Sequence, residues 1–335
     1  MNIKYDLLAS ERLMYSLNVV DGLQALLNKA HAKYKEASSI SIDLLNCKSL
    51  ASSINPSSDL IGVMYHIPIN QSKENDGIII GSFDVPYIKQ EKIDHLRIVG
   101  KSLESFLSHG SDRQVVLFTS VDFWDQLNLA PNFKERVIPF FPQTDPQQPM
   151  YSRAKCYTSL AYSGLVKGRC VFFDSDVLIL KDVNELMHIF DCAVLLSYRY
   201  SPNLMPINEG FFVCDFSRQE AIDFMLSYFS TYNLIVSDPW FQSIIRNDPK
   251  VWRGGQLSLN AQTGHGMCID FRDSTASTIY LPCTEVNYSI SSNELKMDNL
   301  ITLLQKKYAI HVKGNAKYGD LSSLFHCVDS LLSLL

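Results

Sequence analysis

The sequence predicts an α/β protein, a doubly wound mixed sheet with helices on both faces, preceded by a helical N-terminal extension. Two observations carry this. From Gly77 onward, short apolar runs of strand length alternate with segments of helical periodicity, the rhythm of a sheet covered on both faces. And 46% of the 335 residues are hydrophobic while 19% are charged, ordinary globular proportions that allow a large buried core.

The elements follow in order. Residues 1–36 read as helical, with Leu7, Leu8, Leu13, Met14, Leu17, Val20, Leu23 and Leu27 at roughly helical spacing. Ser, Asn and Pro punctuate residues 38–58, a short strand fits within 59–69, and QSKENDG (71–77) is a polar connector. GIIIGSF (77–83) then reads as a strand, followed by a helix marked by Ile93, Leu96, Val99, Leu103 and Phe106. QVVLFTS (114–120), RVIPFF (136–141) and RCVFFD (169–174) are further strands, with a helix over 151–165 between the last two. VLLSY (194–198) and FFVCDF (211–216) come next, and Ser217-Arg218-Gln219-Glu220 has the form of a capping box opening another helix. Candidate strands lie near 267–271, 278–281 and 308–312, and residues 321–335 form an amphipathic helix that packs on the core. Three segments result: an extension over 1–70, the α/β domain over 71–318, and a C-terminal helix over 319–335.

Composition removes several classes of function. The net charge is −5 and no stretch concentrates Lys and Arg, so the basic stripe that grips a nucleic-acid backbone is missing. The eight cysteines are scattered singly, without a C-x-x-C pair, which argues against a structural zinc site. Cys170 in RCVFF and Cys214 in FFVCDF sit in apolar runs, where a thiol acts as a small hydrophobe. No run approaches the ~18 apolar residues of a membrane span, and MNIKYDLLASERLMYS lacks the basic-then-apolar pattern of a signal peptide. The expectation is a soluble, cytoplasmic protein. The N-terminal helices could serve as a homodimer contact, bind another partner or pack on the α/β domain.

The stretch with the most chemistry is VFFDSDVLIL (171–180). Three apolar residues carry the chain to the carboxyl edge of a sheet, where ligands bind in open α/β folds. Asp174 and Asp176 follow at i and i+2, so in extended backbone both carboxylates leave on one side. Two such acids repel unless a cation lies between them, and oxygen ligands of this kind suit Mg²⁺ or Mn²⁺ bridging phosphates. By the same repulsion, Asp176→Asn is expected to stabilise the metal-free protein slightly. The plain reading of D-x-D, an exposed turn with two solvated acids, needs no ion at all.

In its surroundings this D-S-D resembles the nucleotide-sugar glycosyltransferases of the GT-A fold, most closely glycosyltransferase family 8. IIIGSFDVPY (78–87) resembles the family's first strand and nucleoside-holding turn, and YSRAKCYTSLAYSGLVKGRCVFFDSDVLI (151–179) its helix feeding into the D-x-D strand. NEGFFVCDF (208–216) resembles the N-x-G segment, LPCTEVNY (281–288) the L-P-x-x-x-N element, and HVKGNAKY (311–318) the terminal H-x-x-G-x-x-K signature. The resemblance covers about residues 77–318. It implies a GT-A, Rossmann-like domain that moves a hexose from a nucleotide sugar to an acceptor, with retention of configuration. The donor implied is a UDP sugar, UDP-glucose or UDP-galactose by default, while the acceptor is unreadable because its pocket is built from variable loops.

The resemblance also implies roles for residues. Asp174, Asp176 and His311 would hold Mn²⁺ or Mg²⁺. Gly81, Ser82, Asp84 and Tyr87 would meet the nucleoside, and Arg153, Ser175, Gly314 and Lys317 the rest of the donor. Asn208 would lie beside the sugar, and Asp238 matches the first acid of the family's D-Q-D. Together with Asp174 and Asp176, these two make up the expected catalytic set. The chain departs from the pattern at Trp240, where the second acid of D-Q-D is expected, at Tyr318 in place of a proline, and at Glu209 in place of a small residue. Arg153 has two roles open to it: its fork can bind diphosphate or lock a carboxylate.

Each residue has a plainer alternative: His311 as a core histidine on the last strand, Lys317 and Arg153 as surface charges, Asn208 and Asp84 as turn residues. Two whole-protein alternatives stand beside the transferase. FFDSDV also fits the motif of haloacid-dehalogenase-type phosphatases, with Asp174 as nucleophile, although that motif normally opens its domain. A non-catalytic protein that binds nucleotide sugars is the other.

Overall fold

The computed structural model describes residues 44–55, 58, 60–68, 94–143, 149–189, 191–198, 207–237, 239, 276–313, 316–317 and 320–334. The helix expected over 1–36, the run 77–83 and the candidate strand 267–271 lie outside these residues.

Ten strands are described: β1 (Leu60–His66), β2 (Gln114–Thr119), β3 (Val137–Phe140), β4 (Arg169–Phe173), β5 (Val177–Ile179), β6 (Val194–Tyr198), β7 (Ile207–Asp215), β8 (Thr278–Pro282), β9 (Tyr288–Ile290) and β10 (Ala309–Val312). Seven of them form one sheet in the order β3-β2-β1-β4-β7-β6-β8, and the other three a small sheet in the order β5-β10-β9. β1, β2, β3 and β4 run parallel to their neighbours among themselves. β7 runs antiparallel to both β4 and β6. The sheet is mixed, as the pattern predicts.

Alternation along β4 divides the core. Cys170 and Phe172 point into one cluster and Val171 and Phe173 into the other, as the two-residue period of a strand requires. Helices α1 (His95–Leu107), α2 (Val121–Gln126), α3 (Pro131–Lys134), α4 (Pro149–Tyr162), α5 (Val183–Ile189) and α6 (Gln219–Ser237) accompany the sheet. On one face α4 and α6 contribute Tyr157, Leu160, Phe224, Tyr228 and Phe229. On the other α1 and α5 contribute Val99, Leu103, Phe106, Val183 and Leu186. Asp94 starts α1 by accepting the Arg97 amide at 2.9 Å, an N-cap that satisfies one otherwise orphaned donor.

A third cluster joins the small sheet to the C-terminal helix. After α7 (Cys283–Val286) and α8 (Leu300–Leu304), α9 (Ser322–Leu332) inserts Leu324, Phe325 and Val328 against Leu178, Ile310, Val312 and Ile98. The amphipathic end of the chain therefore packs on the core, as expected.

Two expectations need correction. β1 lies inside the segment 1–70 read as a helical extension, yet it is an interior strand of the main sheet, paired with β2 on one side and β4 on the other. The α/β unit thus includes residues from before 70. Gly62 weakens the strand signal in LIGVMYH, but its missing side chain makes room for a crossing helix. A Cβ there would come within 2.9 Å of Phe106 Cε1 and 3.0 Å of Phe173 Cε1, a close approach that favours glycine in a strand. The capping box is the second. Ser217 donates its hydroxyl to Asp215 at 2.6 Å, and Glu220 accepts from Ser277 at 2.8 Å, so the acid reaches to the start of β8 instead of back to Ser217.

The packing yields a stability prediction. Phe172 is fully buried and stacks on Phe212 at 4.6 Å between centroids, with Tyr157 at 4.9 Å. Phe172→Ala should cost about 3–5 kcal/mol through lost transfer energy and a residual cavity, measured by urea denaturation monitored in parallel by circular dichroism and fluorescence.

Candidate functional site

The D-S-D segment is the crossing point of the two sheets. β4 ends at Phe173 and β5 begins at Val177, so Asp174, Ser175 and Asp176 span the gap between them. The turn is closed by the Val177 amide donating to the Asp174 carbonyl at 3.0 Å. On the main-sheet side, the Asp174 amide donates to the Gly210 carbonyl at 2.9 Å, extending the β4–β7 ladder. On the small-sheet side, β10 pairs antiparallel to β5 with His311 opposite Val177. The Val312 amide donates to the Asp176 carbonyl at 2.9 Å.

This pairing brings together residues 135 or more positions apart in sequence. One ligand atom each from Asp174, Asp176 and His311 lies within 4.8 Å of the others. His311 Nε2 is 2.9 Å from Asp176 Oδ1 and 3.6 Å from Asp174 Oδ2. Asp176 and His311 are buried, and Asp174 is partly exposed. Two carboxylates and one imidazole make a donor set suited to a divalent cation such as Mn²⁺ or Mg²⁺. The backbone makes room for it. A Cβ on Gly210 would come within 2.5 Å of His311 Cε1 and 2.8 Å of Asp174 Oδ2, so β7 can approach the three groups only as glycine.

Both acids carry a basic partner. Lys317 Nζ lies 2.5 Å from Asp176 Oδ2, and the Arg153 guanidinium pairs with Asp174 Oδ1. Burial opposes the charge on Asp176, but His311 and Lys317 outweigh it and hold the carboxyl well below its ordinary range. Burial also holds His311 below its ordinary value. The repulsion expected between two bare acids is therefore already offset without an ion, so the expected stabilisation by Asp176→Asn is reversed.

Arg153 is itself buried, with 6% of its side chain exposed, and its second nitrogen lies 2.6 Å from Glu209 Oε2. Glu209 also accepts the phenol of Tyr228 on α6. Burial works against the Arg153 charge, but Glu209 and Asp174 raise its pKa well above the ordinary value. Of the two roles open to Arg153, the geometry is that of a lock on a carboxylate. The register explains how Glu209 arrives there. β6 pairs Leu196 with Phe212 but Ser197 with Asn208, so β7 bulges over Glu209–Phe211 and re-aims these residues, a device common beside functional sites.

The other expected residues divide in two. Asn208 is buried on β7, and its Oδ1 accepts the Gly210 amide at 3.0 Å, which fits a turn-forming role close to the cluster. Ser175 Oγ lies 3.0 Å from Nδ1 of His66. Gly81, Ser82, Asp84, Tyr87, Asp238 and Gly314 lie outside the described residues, as do Trp240 and Tyr318.

Two residues near the cluster were not among the expected site residues. His66 closes β1 at the carboxyl edge of the sheet, its ring 5.5 Å from that of His95 and 4.5 Å from that of Phe123. Burial and the neighbouring His95 push its pKa down to about 3, so the ring is neutral. The available signal was a polar residue ending an apolar strand. Asn287, within the weakly matching LPCTEVNY, is fully buried and lies 2.9 Å from His311 Nδ1 through its Oδ1.

No family model matches the chain, and no curated protein sequence does. Among solved structures, it is similar to a glycosyltransferase involved in the glycosylation of the major capsid of PBCV-1, with 11% identity over 82% of this chain and 99% of that one and a TM-score of 0.42. It is similar to the glycosyltransferase GlyE of Streptococcus pneumoniae TIGR4, with 10% identity over 82% of this chain and 62% of that one, at a TM-score of 0.45. A third is the galactosyltransferase LgtC in complex with donor and acceptor sugar analogues, with 12% identity over 82% and 96% of the respective chains and a TM-score of 0.44. Among the described residues, no helix is long and apolar enough to cross a membrane.

The electrostatics of Asp176 generate a pH prediction. A depressed carboxylate contributes stability that is fully present above the ordinary Asp value, about 3.9, and is lost as pH falls toward the depressed folded value. Asp176→Asn should thus destabilise the metal-free protein at pH 7, and the gap between variant and parent should narrow as pH drops below about 4. Urea denaturation in EDTA at pH 7 and pH 3 measures this; an equal gap at both would contradict it.

Proposed function

We propose that this chain is a metal-dependent glycosyltransferase that moves a hexose from a UDP sugar, UDP-glucose or UDP-galactose, to an acceptor with retention of configuration. The observation that carries the reading is the convergence of Asp174, Asp176 and His311 at the carboxyl edge of the main sheet, where open α/β folds bind ligands. The resemblance of the D-S-D, N-x-G and H-x-x-G-x-x-K elements to family 8 supplies the reaction type, the nucleotide and the stereochemistry. The chain's expected place is the cytoplasm.

Departure of a nucleoside diphosphate leaves two negative charges on the leaving group. A bound Mn²⁺ or Mg²⁺ would neutralise part of that charge as a Lewis acid. The chain's own residues do the rest. Asp174, Asp176 and His311 would hold the ion, and Arg153, paired with one oxygen of Asp174, would leave the other to it. Lys317, already beside Asp176, offers a point charge to the diphosphate. Gly314 would let backbone approach phosphate closely, and Ser175 meets His66 at the end of β1. Asn208 and Asp238 are assigned to the sugar, and Gly81, Ser82, Asp84 and Tyr87 to the nucleoside. In the phosphatase alternative Asp174 must be a free nucleophile, and an arginine pair on its Oδ1 makes it a weaker one.

The test combines nucleotide affinity with activity. UDP with Mn²⁺ should stabilise the protein by roughly 2.7 kcal/mol at ~100-fold saturation, while GDP and CDP should not. Asp176→Asn should reduce sugar transfer, or the side reaction of donor hydrolysis, by roughly 10²–10³-fold, the effect of several kcal/mol of lost charge stabilisation. His311→Ala should fall in the same direction by less, and Lys317→Ala should weaken donor binding while leaving the metal requirement intact. Metal-independent donor binding in the parent protein would overturn the reading, as would full activity in Asp176→Asn.

A further inference from the structure

We propose that Asn287 is a positioning residue that keeps a proton on Nδ1 of His311, so that Nε2 is the nitrogen left to face a cation held by Asp174 and Asp176. The proposal rests on the reading of these three residues as a cation site, and it acts one shell further out.

The argument begins at Ser197. Its hydroxyl lies 2.9 Å from the carbonyl of Asn208 and 2.8 Å from that of Phe211, two groups that can only accept. The single hydroxyl proton is therefore committed to β7, and what remains on Ser197 Oγ toward its other neighbour is a lone pair. That neighbour is Asn287 Nδ2, at 3.3 Å. Only the amino end of the Asn287 amide can face a lone pair, so its carbonyl oxygen is turned to the opposite side, where it meets His311 Nδ1 at 2.9 Å. A carbonyl can only accept, so Nδ1 must donate. Ser197 and Asn287 are both fully buried and His311 is 2% exposed, so no water is at hand to rescue a mismatched pair.

The device matters because the ring has a competing preference. Nε2 lies 2.9 Å from the Asp176 carboxylate, and a neutral imidazole left to itself would place its one proton there, in a charge-assisted bond. That tautomer would occupy with hydrogen the position a cation needs. It would also set the Nδ1 lone pair against the Asn287 oxygen. The chain Ser197–Asn287–His311 makes that state costly, so a proton shared between Nε2 and Asp176 in the ion-free site is a second one, which an arriving cation displaces, and Nε2 is the ligand atom. Ser197 in turn sits at the register shift that carries the bulge of β7, so one irregularity in the sheet serves both Glu209, which reaches Arg153, and Asn287, which reaches His311.

The test reads the proton directly and the metal separately. With ring-¹⁵N-labelled histidine and His311→Gln to assign the signal, His311 in the metal-free parent should carry a proton on Nδ1. In Asn287→Leu the proton should move to Nε2, and Mn²⁺ affinity measured by titration calorimetry should fall about 10–100-fold, the usual cost of losing such a partner. Asn287→Asp, which can still accept from Nδ1, should keep both the proton position and the affinity. Ser197→Ala should lie between, since the amide is then free to turn. A bare Nδ1 in the parent protein would overturn the proposal, as would unchanged affinity in Asn287→Leu. If Asn287→Leu does not fold, the parent spectrum and Ser197→Ala decide the matter. A parent protein that shows the Nδ1 proton but binds no Mn²⁺ would overturn the metal reading and leave this assignment of Asn287 standing.

Discussion

The antiparallel pairing of β10 with β5 is the contact on which the rest of the site depends. It is short, three residue pairs long, yet it alone brings a histidine from the end of the chain against two acids from the middle. Because β5 follows β4 after only three residues, those three are pinned at both ends: the Asp174 amide to β7 and the Asp176 carbonyl to β10. A turn held by ladders of two different sheets has little freedom to let its carboxylates drift. The small sheet is in turn clamped by α9, whose Leu324, Phe325 and Val328 share a core with Leu178, Ile310 and Val312.

Around that contact the charges are arranged in an order that follows burial. Asp174 is the more exposed acid and is held by the buried Arg153; Asp176 is the more buried acid and is held by the more exposed Lys317. Arg153 could not be buried with one partner that an ion also needs, and Glu209 completes its neutralisation. A buried charge left half-paired would be strongly destabilising. Glu209 thus has a physical reason to stand where the resembling family carries a small residue. The departure belongs to the support of the acid, with Tyr228 donating to Glu209 in turn.

Bulging of β7 links the fold to the site. Between Leu196 and Ser197 the register skips three residues on the opposite strand, and the slack is taken up by Glu209, Gly210 and Phe211. Phe211 returns to the core, Glu209 reaches Arg153, and Gly210 leaves the space that His311 and Asp174 fill. The same irregularity turns Ser197 inward toward Asn287.

Much of this was legible in the sequence, and the boundary of what was legible has a physical cause. Apolar runs of strand length located β2, β3, β4, β6, β8 and β10 nearly to the residue; in β2, β4, β6 and β10 burial on both faces demands such runs whatever the partners are. D-S-D after VFF pointed to Asp174 and Asp176, and the H-x-x-G-x-x-K element to His311 and Lys317, since those chemistries depend on residue type and local spacing. The interior place of β1 in the sheet was hidden by Gly62, whose value lies in what Phe106 and Phe173 need and not in its own propensity. Glu209, Tyr228, Ser197 and Asn287 were hidden for a related reason. Hydrogen bonds and ion pairs between positions 11 to 90 residues apart leave no period in a sequence. Periodicity and motif are local and survive in one dimension, whereas which donor faces which acceptor is decided only when the strands choose their register.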